Sequence, residues 1–196
     1  MILSGTVQQH LQRLMRTGMD SGLARLTQIS GAPWQAGEFS LRQGPANEMR
    51  RPPKAGAQHC GAIFTLPGGV FLVTFPEASA ATVAQAFFKG FSKKPGAWTG
   101  MEPDAVAEIA NMVVNPVINL LSDAALMIIF LSSPEVWQGD LTTLDEMAFG
   151  KLLLREDGQA VRADIQIVSA DLGACGAISM LLNSALASHL AEALGA

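Results

Sequence analysis

Apolar residues recur at intervals of three and four in several long stretches of the chain. Val7, Leu11, Leu14, Met15, Met19, Leu23 and Leu26 trace one stripe, which predicts a helix over residues 4–28. Ser4 can cap its start, Gly18 and Gly22 weaken it locally, and Gly31 and Pro33 end it. Val106, Ile109, Met112, Val113, Val117 and Leu120 predict a second long helix over residues 102–121, with Pro103 in its tolerant first turn. Pro116 lies inside this helix, removes a backbone donor and is expected to kink the axis. An alanine-rich helix over residues 79–91 carries Val83, Phe87, Phe88 and Phe91 on one side. A last helix over residues 184–194 carries Leu186, Leu190 and Leu194, with Asn183 as its cap.

Between the helices the pattern changes. Residues 34–41 offer a short, weak strand, and the Gly- and Pro-rich stretch 43–58 reads as a surface connector. Residues 59–65, the tetrapeptide Leu66-Pro67-Gly68-Gly69 and residues 70–75 form a clear hairpin, stopped by Pro76. Residues 92–100 are a short basic linker. Residues 126–132 read as a buried strand ended by Pro134, and residues 135–144 as a polar loop. Residues 147–155, the turn Glu156-Asp157-Gly158 and residues 161–169 read as strand, turn and strand, with a further strand at 176–182. The expected class is α+β, with long helices on antiparallel strands. The order of elements recurs, so a single domain over 1–196 is expected to consist of two related halves, about 1–96 and 97–196. Setting Leu26-Thr27-Gln28 against Leu121-Ser122-Asp123 places Arg13 opposite Glu108 and Arg16 opposite Asn111.

Composition narrows the class. Apolar residues make up 49% of the chain and charged residues 15%, the balance of a folded protein. The longest uninterrupted apolar run, residues 124–131, has 8 residues and is too short to span a bilayer. The start lacks the features of a secretory signal, and with two cysteines a reducing, cytoplasmic setting is expected. Net charge is −4, but residues 1–58 carry seven Lys/Arg against three acidic residues, leaving the remainder at −8. The basic residues lack aromatic interleaving, which argues against nucleic-acid binding, while the acidic remainder can attract a basic surface on a protein partner. Cys60 and Cys175 each sit in Cys-Gly-Ala-Ile, and His10, His59 and His189 are scattered, so no metal site is expected.

The chemistry-bearing residues lie on the second long helix. Asp104, Glu108 and Asn111 stand at i, i+4 and i+7 and share one polar face, and Pro134 follows Asn111 after 22 intervening residues. A helix face that is merely solvated shows the same stripe. The full pattern, Asp/Ser-x3-Glu-x2-Asn-x22-Pro, resembles the signature of the CheC/CheX/FliY family of chemotaxis phosphatases at all four positions. That resemblance implies a CheC-like, pseudo-two-fold duplicated fold with up to two copies of the motif, of which this chain carries only the second. It also implies hydrolysis of the phospho-aspartate of a CheY-type response regulator. In the family pattern Asn111 fixes the attacking water and Glu108 pairs with the regulator's lysine. Asp104 assists partner binding at the motif's first position, and Pro134 is structural. No cofactor of its own is implied, since Mg2+ belongs to the regulator. A CheD-like protein is a further implied partner, and family members occur as monomers and homodimers. Pro116 departs from the small residues usual in that region. The alternative is a non-catalytic CheC-like interaction protein that binds a response regulator, a receptor-modifying partner or the flagellar switch.

Overall fold

The computed structural model describes residues 3–51, 56–88, 101–154 and 158–195. The first helix, α1 (Gly5–Ser30), buries Val7, Leu11, Met15, Met19, Leu23 and Leu26, as its stripe dictates. The Ser4 hydroxyl accepts from the Val7 amide at 3.3 Å, and Gly31 closes the helix in the left-handed region, at φ 71°. β1 (Gln35–Pro45) and a single turn, α2 (Ala46–Met49), follow. β2 (Gln58–Leu66) and β3 (Gly69–Pro76) form the expected hairpin, and α3 (Glu77–Phe87) begins directly after Pro76. The rest of the expected helix to residue 91 and the linker at 92–100 fall outside the described residues, apart from Phe88 at the helix cap.

The long helix α4 (Glu102–Ala125) runs through Pro116 as one element and four residues beyond its expected end. Among the described residues it is the helix long and apolar enough, by composition, to cross a membrane. Here its apolar residues are used internally: Val106, Ile109, Val113, Val117 and Leu121 pack into the core with α1 and the sheet. β4 (Glu135–Asp140), α5 (Leu141–Lys151), β5 (Gln159–Ser169), β6 (Ala174–Asn183) and α6 (Ser184–Gly195) complete the chain. Asn183 caps α6, its Oδ1 accepting from the Leu186 amide at 3.0 Å.

All strand pairings are antiparallel, in the order β1-β5-β6-β3-β2-β4. The architecture is therefore α+β. One face of the sheet, with Phe64, Phe71, Val73, Ile165 and Ile178, packs into a core with α1, α3, α4 and α6. The other, with Ile63, Leu72 and Leu181, carries the smaller α2 and α5.

Four segments differ from expectation. Residues 126–132 join no ladder: Leu126, Ile128 and Phe130 point to solvent while Ile129 is buried, an alternation that a continuous apolar run conceals. Residues 135–144 are not a loop but β4 and the start of α5. β4 is an edge strand with mostly exposed side chains, so its sequence is polar, and Asp140 serves as helix cap by accepting from the Thr143 amide at 2.9 Å. Residues 147–151 belong to α5, whose buried Leu144, Ala148 and Phe149 keep helical spacing; the run Leu152-Leu153-Leu154 mimicked a strand. The connector at 43–58 contains the end of β1, all of α2 and the first residue of β2.

The element order α-β-α-β-β-α occurs twice. The sheet order reads the same from either edge when β1 is exchanged with β4, β2 with β5 and β3 with β6. The helix contacts obey the same exchange. A Cβ on Gly18 would lie 2.7 Å from Val117 Cα, and one on Gly22 would lie 2.7 Å from Val113 Cα. These antiparallel contacts interchange when Gly18 is set against Val113 and Gly22 against Val117, the alignment that opposes Leu26-Thr27-Gln28 to Leu121-Ser122-Asp123. The same alignment opposes the two helix caps, Gly31 and Leu126. Both are left-handed, and Leu126 (φ 51°) is the non-glycine residue with positive φ among those described.

Candidate functional site on the outer face of α4

The first half of α4 presents Asp104 and Glu108 exposed and Asn111 half-buried, all in one stripe. At 100° per residue they lie roughly 120–180° round the axis from Val113 and Val117, the contacts to α1. The stripe therefore faces away from α1. Asn115 and Asn119, both exposed, prolong it by two further turns. No hydrogen bond or ion pair to another described residue occupies Asp104, Glu108 or Asn111. Pro103 and Asp104 sit in the first turn, where proline is tolerated and a carboxylate complements the helix dipole.

The chain after α4 folds back along this side. Leu126 turns it, the Met127 amide donates to Ser122 O at 3.1 Å, and the Ile129 amide donates to Ser122 Oγ at 3.2 Å. Ser132 then joins the edge of β2: its amide donates to Thr65 O and its Oγ accepts from the Thr65 amide, both at 2.9 Å. Pro134 is half-buried immediately before β4. In the other half Arg16 donates to Gly37 O at 3.4 Å. Arg16 and Gly37 stand opposite Asn111 and Ser132 in the alignment of the halves. Arg13 is exposed.

This arrangement offers a carboxylate and a carboxamide one turn apart on a rigid helix, open to a partner. Among the described residues no three His, Cys, Asp or Glu side chains cluster as metal ligands. Cys60 is buried in β2, and burial, with the nearby Glu102 charge, pushes its thiol up to about 12; Cys175 is exposed. Neither belongs to the stripe.

A second polar cluster escaped sequence reasoning. Arg162, fully buried in β5, meets Asp145 Oδ1 at 2.7 Å and Asp164 Oδ2 at 2.8 Å, and its Nη1 donates to Met49 O at 3.0 Å. Arg51 reaches Asp164 Oδ1 at 3.0 Å, and Ser179 Oγ donates to the same oxygen at 2.6 Å. Burial alone would raise the Asp164 carboxyl, but Arg162, Ser179 and Arg51 outweigh it and hold the group below its ordinary value. The cluster ties α2 and α5 to the sheet. Arginine at 162 and aspartate at 164 fall on the same side of a strand, the one sequence signal that could have found it.

No family model matches the sequence, and no curated protein matches it significantly. Solved structures do. Thermotoga maritima FliY superposes with a TM-score of 0.73 over 100% of this chain and 98% of its own, at 13% identity. The FliM middle domain from H. pylori gives 0.66 over 97% and 99%, at 10% identity. The chemotaxis protein CheX from Desulfovibrio desulfuricans gives 0.57 over 87% and 99%, at 15% identity. The chain has the fold of FliY, CheX and the FliM middle domain, the fold expected of the CheC/CheX/FliY family.

Proposed function

We propose that this chain is a cytoplasmic phosphatase of a phosphorylated CheY-type response regulator in chemotaxis signalling. The observation that carries the reading is the open stripe of α4, on which Asp104, Glu108 and Asn111 keep the family's spacing without engagement to other described residues. An acyl phosphate needs an in-line water and charge stabilisation, with little covalent work from the protein. The Asn111 carboxamide can hold that water. The Glu108 carboxylate pairs with the regulator's lysine and sets the register of the two proteins, and Asp104 assists docking. Any Mg2+ is the regulator's. We read the chain as a single domain of two related halves, of which the second bears the site.

A phosphate-release assay over a panel of CheY-type regulators tests this. Asn111→Ala is expected to lower kcat by about 10²–10³ with little change in KM, because a positioning donor acts in the transition state. Glu108→Ala is expected to impair both binding and turnover, and Asp104→Ala to be milder. A wild-type protein that accelerates no regulator contradicts the reading. The similarity in fold to the FliM middle domain favours a second reading, a non-catalytic interaction protein that uses the same stripe for binding. It is supported if a regulator binds but its phosphoryl group decays at the unassisted rate.

A further inference from the structure

The segment that folds back along α4 places three large apolar side chains in water. Leu126 is 93% exposed, Ile128 76% and Phe130 74%, while Ile129 between them is 8% exposed and anchors the segment to the core. Contiguous exposed apolar surface of this kind marks interaction sites. Three observations tie it to the α4 stripe. First, the Ile129–Ser122 hydrogen bond joins the segment to the far end of the same α4 face, about 16 Å along the axis from Asn111, so the strip abuts the end of the stripe. Second, Leu126, Ile128 and Phe130 stand opposite Gly31, Pro33 and Gln35 of the other half. The half without the motif thus has no large apolar side chain at these three exposed positions. Third, Leu126 occupies a left-handed helix cap, at φ 51°, where the other half uses glycine. A leucine there is strained and almost wholly exposed, so neither backbone geometry nor burial accounts for it.

We propose that Leu126, Ile128 and Phe130 form an apolar docking strip for the same CheY-type regulator that the Glu108–Asn111 site addresses. The inference rests on the phosphatase reading for its partner. The polar stripe sets register and supplies the chemistry, while the apolar strip at the Ser122 end of the stripe takes an apolar surface of the same regulator. The strip acts on ground state and transition state alike, so it contributes to KM and not to kcat.

The test is the triple variant Leu126→Gly, Ile128→Ser and Phe130→Gln, with Leu126→Gly alone as a second protein. Two quantities are read: steady-state kinetics on the phosphorylated regulator, and Kd for the regulator loaded with beryllium fluoride, an acyl-phosphate mimic. The triple variant is expected to raise KM and Kd at least tenfold and leave kcat within about twofold. Leu126→Gly is expected to weaken binding while raising the thermal midpoint by about 2–4 °C, since it relieves the cap. A purely structural leucine would not separate those two effects. Unchanged KM and Kd in the triple variant overturn the docking strip and leave the phosphatase reading intact. If wild type binds a regulator without hydrolysing it, the phosphatase reading fails and the strip is judged on Kd alone. If it binds none, both fail.

Discussion

The two halves of the molecule hold equivalent backbone positions and use them differently. On the helix side, Arg13 and Arg16 stand where Glu108 and Asn111 stand, and Arg16 is bound to the Gly37 carbonyl while Asn111 is open. On the opposite face of the sheet the ladders supply the comparison. Gly61 pairs with Trp137 and Arg162 with Arg42, which makes Gly61 and Arg162 equivalent. By the same ladders Ile63 corresponds to Asp164, and Leu72 to Ser179. Beneath the eleven residues of α5 the first half buries Ile63 and Leu72. Beneath the four residues of α2 too little apolar cover is available, and the second half fills the space with a hydrogen-bonded ion network. Equivalent backbone therefore constrains neither polarity nor chemistry. The half with the open stripe also carries the ionic face, and the stripe stays free because its own helix is held by apolar contacts.

The largest effect is expected at that ionic face. Arg162→Ala strips the buried Asp145 carboxylate of its 2.7 Å partner and leaves the half-buried Asp164 to Arg51 and Ser179, and should cost about 3–5 kcal/mol in denaturant unfolding. Ile63→Val, at the position equivalent to Asp164, should cost about 0.5–1.5 kcal/mol. Comparable losses at the two positions would erase the distinction between the faces. Next come the helix crossings. Gly22→Ala places a Cβ against Val113 Cα and Met112 O, which are backbone atoms that no rotamer change can move. It should destabilise by about 1–3 kcal/mol although alanine is the better helix former.

Acid provides a smaller, directional test. Asp164 has a folded pKa below its unfolded value, so its contribution is fully present above about pH 4 and is lost as pH falls through the folded value. Stability should decline on acidification below about pH 4, and Asp164→Asn should flatten that part of the curve. A curve of unchanged steepness would detach Asp164 from the network. The smallest effect belongs to the half without the motif. Arg13→Ala with Arg16→Ala should leave phosphatase activity within about threefold, under ~0.7 kcal/mol in barrier. A hundredfold loss would place function in both halves.

Much of this comparison was legible in the chain itself. The apolar stripes of α1 and α4, the Pro67–Gly68 hairpin and the Asn183 cap are local signals, and each recurs in the fold. The spacing of Asp104, Glu108 and Asn111 was equally local. The nonlocal features were hidden. Gly18 and Gly22 read as weak points in a helix because the partner backbone that requires them lies in α4. The polar sequence of β4 follows from its place at a sheet edge, which topology decides. Arg162 drew no notice in the sequence because Asp145 and Met49 reach it only through the tertiary fold. Leu126, Ile128 and Phe130 looked buried because apolarity alone does not say which side of a segment faces water.

The central claim is that chemistry resides on α4 alone. Its most direct test is the decay of a phosphorylated CheY-type regulator measured side by side with wild type, Asn111→Ala, and Arg13→Ala combined with Arg16→Ala. The account predicts rapid decay with wild type and with the arginine variant, and decay slowed by about 10²–10³ with Asn111→Ala. An Asn111→Ala protein as active as wild type on the regulator it accelerates would contradict it.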